Sequence, residues 1–401
     1  MTAREFPNPF QDYNQEQLLG ENQKLNDALS NQIKQVIDRL LKQLYAGIER
    51  EGEGYDHSVY TGSPGIALLN LHLHRVLSNE SDDKFLHTSL QFLRQPLQHL
   101  KGKRLSFLCG DPGPLAIGTV VYHKLNQKQQ STECLRRLSD LHKYVCKDKD
   151  LPNELLYGRV GYIYSLLFVQ KYIGTDCIDG SIISKVVKVI MDQGKELSQR
   201  EGSASALMFM WHGSHYLGAA HGIAGIFYIL LKLDRSYIEP YLTELQASVD
   251  YMLTLQFPSG NCPSSLESTS GDKLIHWCHG APGWIYTFIS AYQVFKEEKY
   301  MRAAIACSDV IWSRGILRKG YGVCHGTAGN GYAFLALYKH TRQQKYLYRA
   351  YKFGEWCFNY GKHGCNIPDS PFSLFEGMAG TIYFLADLLD PLRAEFPAFE
   401  I

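Results

Sequence analysis

The chain has 401 residues, and 45% of them are hydrophobic, which is enough apolar material to bury a large core. Its 41 basic and 40 acidic residues nearly cancel, so charge gives no reason to expect a nucleic-acid or membrane-surface protein. No apolar run is long enough to span a bilayer, and residues 1–7 lack the apolar core of a signal peptide. We therefore expect a cytoplasmic protein whose ten cysteines are buried thiols or metal ligands rather than disulfides.

Residues 1–23 lie outside the repeats described below and form a predicted N-terminal arm. Residues 9–13 of this arm read Pro-Phe-Gln-Asp-Tyr, which fits Pro-x-x-Asp-Tyr, a ligand pattern for a subset of SH3 domains. A motif of five residues is weak by itself. The alternative is that Phe6, Phe10 and Tyr13 pin the arm onto the rest of the protein.

A Gly-x-x-Gly motif occurs seven times along the chain, and most copies lead into an apolar run. The first glycines of successive copies are 46 to 64 residues apart. A single copy has almost no predictive value, but seven copies at a period near fifty indicate a repeat architecture. The copies begin at Gly62, Gly110, Gly158, Gly222, Gly280, Gly326 and Gly377.

Two kinds of predicted helix alternate between these motifs. Runs that follow a motif, such as residues 226–231, are apolar on nearly all sides, as an inner, fully buried helix should be. Residues 32–49, 237–255 and 300–312 are instead amphipathic, with apolar side chains on one stripe. Strand signals are weak. We predict an all-α fold over residues 24–401, an α/α toroid of seven helical hairpins whose inner helices are preceded by the glycine loops.

Closure into a ring is favoured over an open solenoid because the inner helices are too apolar to line an open groove. In a closed ring the glycine loops should gather at one end of the inner barrel. Side chains at equivalent positions in neighbouring loops would then face one another. The sequence therefore predicts where chemically active residues should meet.

Two neighbouring motifs carry the same pair of residues before the first glycine, namely Cys278-His279 and Cys324-His325. Two thiolates and one imidazole are good ligands for zinc, and three protein ligands leave a fourth position open, as in catalytic zinc sites. We predict that Cys278, Cys324 and His325 bind the metal. The alternative is that they are buried free cysteines and core histidines.

Further polar residues near the glycine loops are candidates for proton transfer. His221 stands directly before its glycine, as His279 and His325 do, and histidine has a suitable pKa for acid or base chemistry. His279 need not repeat the metal-binding role of His325 and is a second catalytic candidate. Glu154 and Glu376 are the acidic candidates, although each could simply form a loop or helix-start hydrogen bond.

With these motifs the sequence resembles the lanthionine synthetase C-like family over essentially its whole length, and its vertebrate members most of all. Bacterial members are peptide cyclases in which zinc activates a peptide cysteine that adds to dehydroalanine or dehydrobutyrine. The resemblance implies that Cys278, Cys324 and His325 are the zinc ligands and that His221 is the acid or base. Glu154 matches an aspartate of the cyclases, whereas His279 stands where they usually carry tyrosine.

Eukaryotic members that resemble this chain bind glutathione and act as glutathione transferases on electrophiles, including dehydroamino acids in proteins. The resemblance therefore implies a zinc cofactor, glutathione as co-substrate, and Arg4 and Lys319 as anchors for its anionic groups. For both anchors, plain solvated surface charge is the alternative. Asn366 stands where close relatives have arginine, which predicts a weaker anchor there.

A second function is a glutathione-binding adaptor or redox sensor that engages SH3-domain signalling proteins through residues 9–13, with little turnover. The resemblance also implies that a fraction of the protein molecules associates peripherally with the plasma membrane. A sugar-processing toroid would need an apposed pair of acids, and loops rich in Cys and His with few carboxylates argue against it.

Overall fold

The computed structural model describes residues 4–20, 23–52, 56–78 and 82–401. Regular secondary structure in these ranges is helical, and extended pairing is limited to isolated bridges, so the predicted all-α class is confirmed. None of these helices combines the length with the sustained apolar character that crossing a bilayer requires. The α-helices are α1 (Asp27–Glu51), α2 (Ser63–Leu77), α3 (Lys84–Gln98), α4 (Pro112–Lys124), α5 (Lys128–Asp140), α6 (His142–Lys147), α7 (Arg159–Ile173), α8 (Gly180–Glu201), α9 (Ile223–Leu231), α10 (Arg235–Ile238), α11 (Leu242–Leu255), α12 (Ala281–Phe295), α13 (Glu298–Arg314), α14 (Thr327–Thr341), α15 (Gln344–Phe358) and α16 (Met378–Leu388).

Seven helices form an inner ring, namely α2, α4, α7, α9, α12, α14 and α16, and each follows one of the seven glycine motifs. Each inner helix contacts the next one, and α16 contacts α2, which closes the ring. These helices are buried on nearly all sides; every residue of α9, for example, is buried. The predicted toroid of seven hairpins is therefore confirmed.

The outer layer consists of amphipathic helices that bury one stripe against the inner ring. In α1 the buried stripe includes Ile33, Ile37, Leu40 and Leu44, which recur every three or four residues. Two outer positions each hold two shorter helices, α5 with α6 and α10 with α11, so the described residues form sixteen α-helices where seven hairpins predict fourteen. The helix predicted over residues 237–255 is wrong in its first part, because a 3-10 turn at Glu239–Tyr241 separates α10 from α11. Proline within that turn has no amide hydrogen and cannot continue an α-helical ladder.

The second glycine of every motif lies where a side chain would not fit. In all seven motifs, a Cβ atom placed on this glycine would lie within 2.4 Å of the carbonyl oxygen six residues earlier. On Gly329 such an atom would lie 1.8 Å from the Val323 oxygen. Each inner helix therefore begins in direct backbone contact with its own loop. Proline in the first turn of α2, α4 and α12 suits the same compact start.

Neighbouring loops are joined by hydrogen bonds between residues at the same position, two before the first glycine. The Cys278 amide donates to the Cys324 carbonyl (3.3 Å), and the Cys324 amide donates to the Phe375 carbonyl (2.9 Å). The Phe375 amide donates to Tyr60 (3.1 Å), and the Tyr60 amide donates to Leu108 (3.1 Å). Five of the seven loops are thus fixed side by side at one end of the ring, across the seam between its last and first repeats.

Residues 4–20 of the arm are folded against the toroid. Phe6 lies 5.4 Å from the Trp356 ring, and Tyr13 lies 5.6 Å from the Tyr348 ring, as a pinning role predicts. The acidic residue of the candidate SH3 motif, Asp12, is already engaged within the protein. It accepts two hydrogen bonds from the Arg349 guanidinium, at 3.0 and 2.6 Å.

We expect Arg349→Gln to release this part of the arm. Arg349 is 3% exposed and also donates to Asp309 at 2.8 Å, so its loss removes the hydrogen bonds that fasten Asp12 to the toroid, each worth about 1 kcal/mol for a partly exposed carboxylate. Hydrogen–deuterium exchange in residues 8–13 should then accelerate about tenfold or more. Exposed Arg302 on the neighbouring helix provides the control Arg302→Gln, and equal exchange in both variants would contradict the expectation.

The hydrogen bond with Arg349 also holds the pKa of Asp12 below its usual value of 3.8. A lowered carboxyl pKa means that the pair stabilises the docked arm above pH 3.8 and loses this contribution as the pH falls through the lowered value. Acid should therefore loosen the arm in the wild-type protein.

Candidate metal centre

A cleft of about 420 Å³ opens at the end of the ring where the glycine loops meet. Its walls come from the loops of repeats one and three to six, from the arm, and from residues 270–276. Seven of the residues predicted for the site line this cleft, namely Arg4, His221, Cys278, His279, Lys319, Cys324 and His325.

Cys278, Cys324 and His325 are brought together as the alignment of the repeats predicts. Their nearest ligand atoms, two sulfurs and one imidazole nitrogen, all lie within 4.8 Å of one another. Among the described residues, this is the one group of three or more His, Cys, Asp or Glu side chains with that geometry. Both cysteines are buried, at 7% and 2% exposure, so the sulfurs face the base of the cleft rather than solvent.

These donors fit a zinc ion. Zinc binds sulfur at about 2.3 Å and nitrogen at about 2.0–2.1 Å, so small side-chain rotations would bring all three atoms onto one ion. Burial raises the pKa of the Cys324 thiol well above its usual value, and the neighbouring Cys278 thiol raises it further. Such a buried thiol needs a cation to become a thiolate, and coordination to a divalent metal deprotonates a thiol.

The backbone of the two Cys-His motifs differs at their first glycine. Gly280 has a φ of +122°, a conformation that side-chain-bearing residues rarely adopt, whereas Gly326 has a φ of −129°. The Asn261 side chain accepts the amide of the following residue and holds this unusual turn (3.0 Å). His279 consequently leaves its loop differently from His325 and is not a member of the three-residue group.

His279 nevertheless faces the cleft with an unsatisfied polar atom. Its Nδ1 is buried and has no hydrogen-bond partner in the part of the chain that the structure describes. Burial lowers the pKa of His279 to about 4, and the nearby His221 contributes. Burial likewise lowers the pKa of His276, a cleft residue that we did not predict, to about 3. Both imidazoles are neutral at pH 7 and can exchange hydrogen bonds with a bound molecule.

Glu154 does not line the cleft but lies directly behind His221. Its Oε2 is 3.0 Å from His221 Nδ1, and the carboxylate is 2% exposed while the imidazole is 23% exposed. The amides of Leu156 and Tyr157 donate to the same carboxylate at 2.8 and 2.6 Å. A carboxylate held this firmly fixes a proton on Nδ1, which leaves Nε2 as the atom that accepts or delivers a proton. Glu154 is therefore placed to orient His221.

Cationic side chains border the cleft near the docked arm. The Arg318 amide donates to the Arg4 carbonyl (3.0 Å), which brings Arg4 beside Lys319. Lys273 also lines the cleft, and no repeat pattern predicted it because it lies in an irregular loop. These three charges make the cleft suitable for an anionic molecule.

The loop over residues 202–218 reaches the cleft. The Tyr216 ring lies 5.8 Å from His221 and 5.9 Å from His279. The Leu217 amide donates to the Ser264 carbonyl (2.9 Å), so the loop over residues 257–266 joins the same end. Glu376, the other acidic candidate, is not among the residues that line the cleft.

Comparison with known proteins agrees with this architecture. Residues 53–401 match the family model described as lanthionine synthetase C-like protein. The Danio rerio protein named glutathione S-transferase LANCL1 is 47% identical over 406 aligned residues, which cover 99% of each chain. The structure of a nisin cyclase has the same fold, with a TM-score of 0.65 at 16% identity, over 90% of this chain and 94% of the cyclase. The chain belongs to the lanthionine synthetase C-like family.

Proposed function

We propose that the protein is a zinc-dependent glutathione transferase that adds the glutathione thiol to electrophiles, including dehydroalanine and dehydrobutyrine in proteins. The observation that carries the proposal is the meeting of two buried sulfurs and one imidazole within 4.8 Å, in a cleft that also holds His221. The name of the 47% identical relative, a glutathione S-transferase, supports the choice of thiol.

Cys278, Cys324 and His325 would hold the ion and leave one coordination position facing the cleft. When bound there, zinc would lower the pKa of the glutathione thiol and keep it nucleophilic near neutral pH. Both sulfurs are buried, so electrostatic interactions at this position are stronger than they would be in bulk water.

His221 is proposed to carry the proton. Its Nε2 would accept the proton of the glutathione thiol, while Glu154 keeps Nδ1 protonated and the ring in place. Addition forms a bond between sulfur and the β-carbon of the acceptor, and the electron pair of the carbon–carbon double bond moves to the α-carbon. His221 would return the proton to that carbon, so no other reactant is required.

Arg4 and Lys319 are proposed to bind the carboxylates of glutathione. Because glutathione has two carboxylates, cations along one wall of the cleft would orient it with the thiol toward the metal ligands. Replacing either residue with glutamine should raise the KM for glutathione about tenfold and change kcat little, as expected for ground-state binding. Steady-state kinetics with Lys362→Gln as an exposed control would check this, and an unchanged KM would contradict the assignment.

The proposal is tested with purified full-length protein, glutathione and a peptide that contains dehydroalanine. Mass spectrometry should show the peptide gaining one glutathione at a rate that depends on the protein. Removal of zinc with a chelator should abolish this gain, and zinc, but not magnesium, should restore it. Full transfer by protein shown to contain no metal would reject the zinc-dependent mechanism.

The second candidate function is a cytoplasmic adaptor, in part peripheral at the plasma membrane, that binds SH3-domain proteins. The observation that favours it is the exposure of Pro9 on the arm whose Arg4 reaches the cleft, although an SH3 domain that contacts Asp12 would have to displace Arg349. Glutathione binding measured by calorimetry, together with negligible transfer to any acceptor, would favour this function. Binding of an SH3 domain that is lost in Asp12→Ala would support its partner.

A further inference from the structure

We propose that Tyr60 is a positioning residue whose hydroxyl group donates a hydrogen bond to the metal-binding sulfur of Cys324 and so limits how much charge that sulfur gives to the ion. The inference rests on the proposed function only in requiring a metal ion at Cys278, Cys324 and His325. No repeat or motif in the sequence assigns this role to a tyrosine of the first loop.

The contact itself is direct. The Tyr60 hydroxyl lies 2.9 Å from Cys324 Sγ, and Tyr60 lines the same cleft as the three candidate ligands. A phenol O–H is a hydrogen-bond donor, so the hydroxyl can donate to a thiolate. A thiolate has several lone pairs and can bind a metal while it accepts this hydrogen bond.

The structure holds the Tyr60 ring in one place. Its amide and carbonyl are both used in the hydrogen bonds that join the first loop to its two neighbours, through Leu108 and Phe375. Its ring stacks on Phe375 with centroids 4.7 Å apart and planes 22° from parallel. Phe375 in turn packs against Trp277, the residue before Cys278, at 5.5 Å. The hydroxyl therefore reaches past the seventh loop to the sixth from a rigid platform.

Tyr60 also occupies the same position in its repeat as the two candidate cysteine ligands occupy in theirs. It stands two residues before the first glycine of its motif, as Cys278 and Cys324 do in theirs. Equivalent positions point to the centre of the loop end, so the first repeat supplies a donor where the fifth and sixth supply sulfurs. The tyrosine side chain is long enough to span the intervening loop.

This hydrogen bond would matter because two thiolates neutralise the charge of a divalent ion. A zinc ion that receives much charge from its sulfurs is a weak Lewis acid toward a fourth ligand. Hydrogen bonds to metal-bound sulfur withdraw part of that charge, and such outer partners commonly change affinity or activity about 10- to 100-fold. Tyr60 would thus keep the ion acidic enough to activate a thiol.

Cobalt substitution tests the inference without turnover. Full-length wild type and Tyr60→Phe would be loaded with Co²⁺, and the sulfur-to-cobalt charge-transfer band would be recorded. Loss of the hydrogen bond makes the sulfur a stronger donor, so the band should move to longer wavelength in Tyr60→Phe. Tyr157→Phe is the matched control, because it removes a phenol that hydrogen-bonds to Cys109, a thiol outside the candidate ligand set. Its band should not move.

A second protein keeps the test decisive if Tyr60→Phe does not fold. Incorporation of 3-fluorotyrosine at position 60 makes the phenol a stronger donor and should move the band to shorter wavelength. Opposite shifts cannot arise from a general loosening of the site. Unshifted bands in the folded Tyr60→Phe and fluorotyrosine proteins would overturn the role of Tyr60. Absence of any charge-transfer band in cobalt-treated wild type would instead overturn the metal centre and the proposed function with it.

Discussion

Replacement of Cys324 by alanine is expected to reduce bound zinc from about one ion per chain to a trace and to slow glutathione transfer on the order of a thousandfold. Of the three candidate ligands, Cys324 contacts both of the others and also Tyr60. It lies within 4.8 Å of the other two ligand atoms, shares a backbone hydrogen bond with Cys278, and accepts the Tyr60 hydroxyl. Without it, one sulfur and one imidazole remain, which is too few protein ligands for a stable zinc site.

The matched control for this loss is Cys134→Ala. Cys134 is also buried, at 7% exposure, but it lies on outer helix α5 and outside the candidate ligand set. Elemental analysis and transfer assays on both variants separate metal binding from the general effect of removing a buried thiol. A Cys324→Ala protein that retains one zinc ion and normal transfer would contradict the assignment.

His221→Ala should lower kcat about 10²- to 10⁴-fold while zinc content stays unchanged. The imidazole lines the cleft but is not one of the three clustered ligands, so its loss removes the proposed proton carrier and leaves the ion in place. Glu154→Gln should have the same sign but a smaller effect, about 10- to 100-fold, because it disturbs only the orientation of the ring.

Zinc analysis and single-turnover transfer on the same preparations check the role of His221. His87→Gln, which changes an exposed histidine on outer helix α3, provides the control. Full transfer by His221→Ala would exclude it as the proton carrier. Loss of zinc together with transfer would show that His221 supports the metal centre instead.

Most of the fold could be predicted because each repeat has the same sequence pattern, a glycine motif followed by an apolar helix. The glycine motifs mark the start of every inner helix, and the all-round apolar character of those helices requires a second layer and a closed ring. The error at residues 237–255 has a local cause, since apolar periodicity continues through Pro240 although the backbone ladder cannot. The spacing of apolar residues alone does not show where a backbone hydrogen bond of the helix is missing.

The meeting of Cys278, Cys324 and His325 could be predicted from their shared position in the repeat. The position in the repeat is the same for His325 and His279, so it did not show which of them lies near the two cysteines. Their different placement accompanies the positive φ of Gly280, which only the folded backbone reveals. Lys273 lies in an irregular loop, and no repeat fixes where such a residue points.

Contacts between residues far apart in the chain also could not be predicted from the repeat pattern. Asp12 and Arg349 are separated by 337 positions and meet only because the arm crosses the finished toroid. Tyr60 reaches Cys324 over 264 positions, across the seam where the ring closes. The sequence shows that Tyr60 occupies the same repeat position as the two cysteines. It does not show that the Tyr60 side chain reaches Cys324, because that contact depends on the order of the loops in the ring.

X-ray absorption at the zinc edge, measured with and without glutathione, tests the central claim most directly. We expect one tightly bound zinc ion with two sulfur neighbours at about 2.3 Å and nitrogen or oxygen at shorter distance. Addition of glutathione should increase the sulfur count from two to three. Protein that binds no zinc, or a sulfur count that glutathione leaves unchanged, would contradict a metal centre that activates the glutathione thiol.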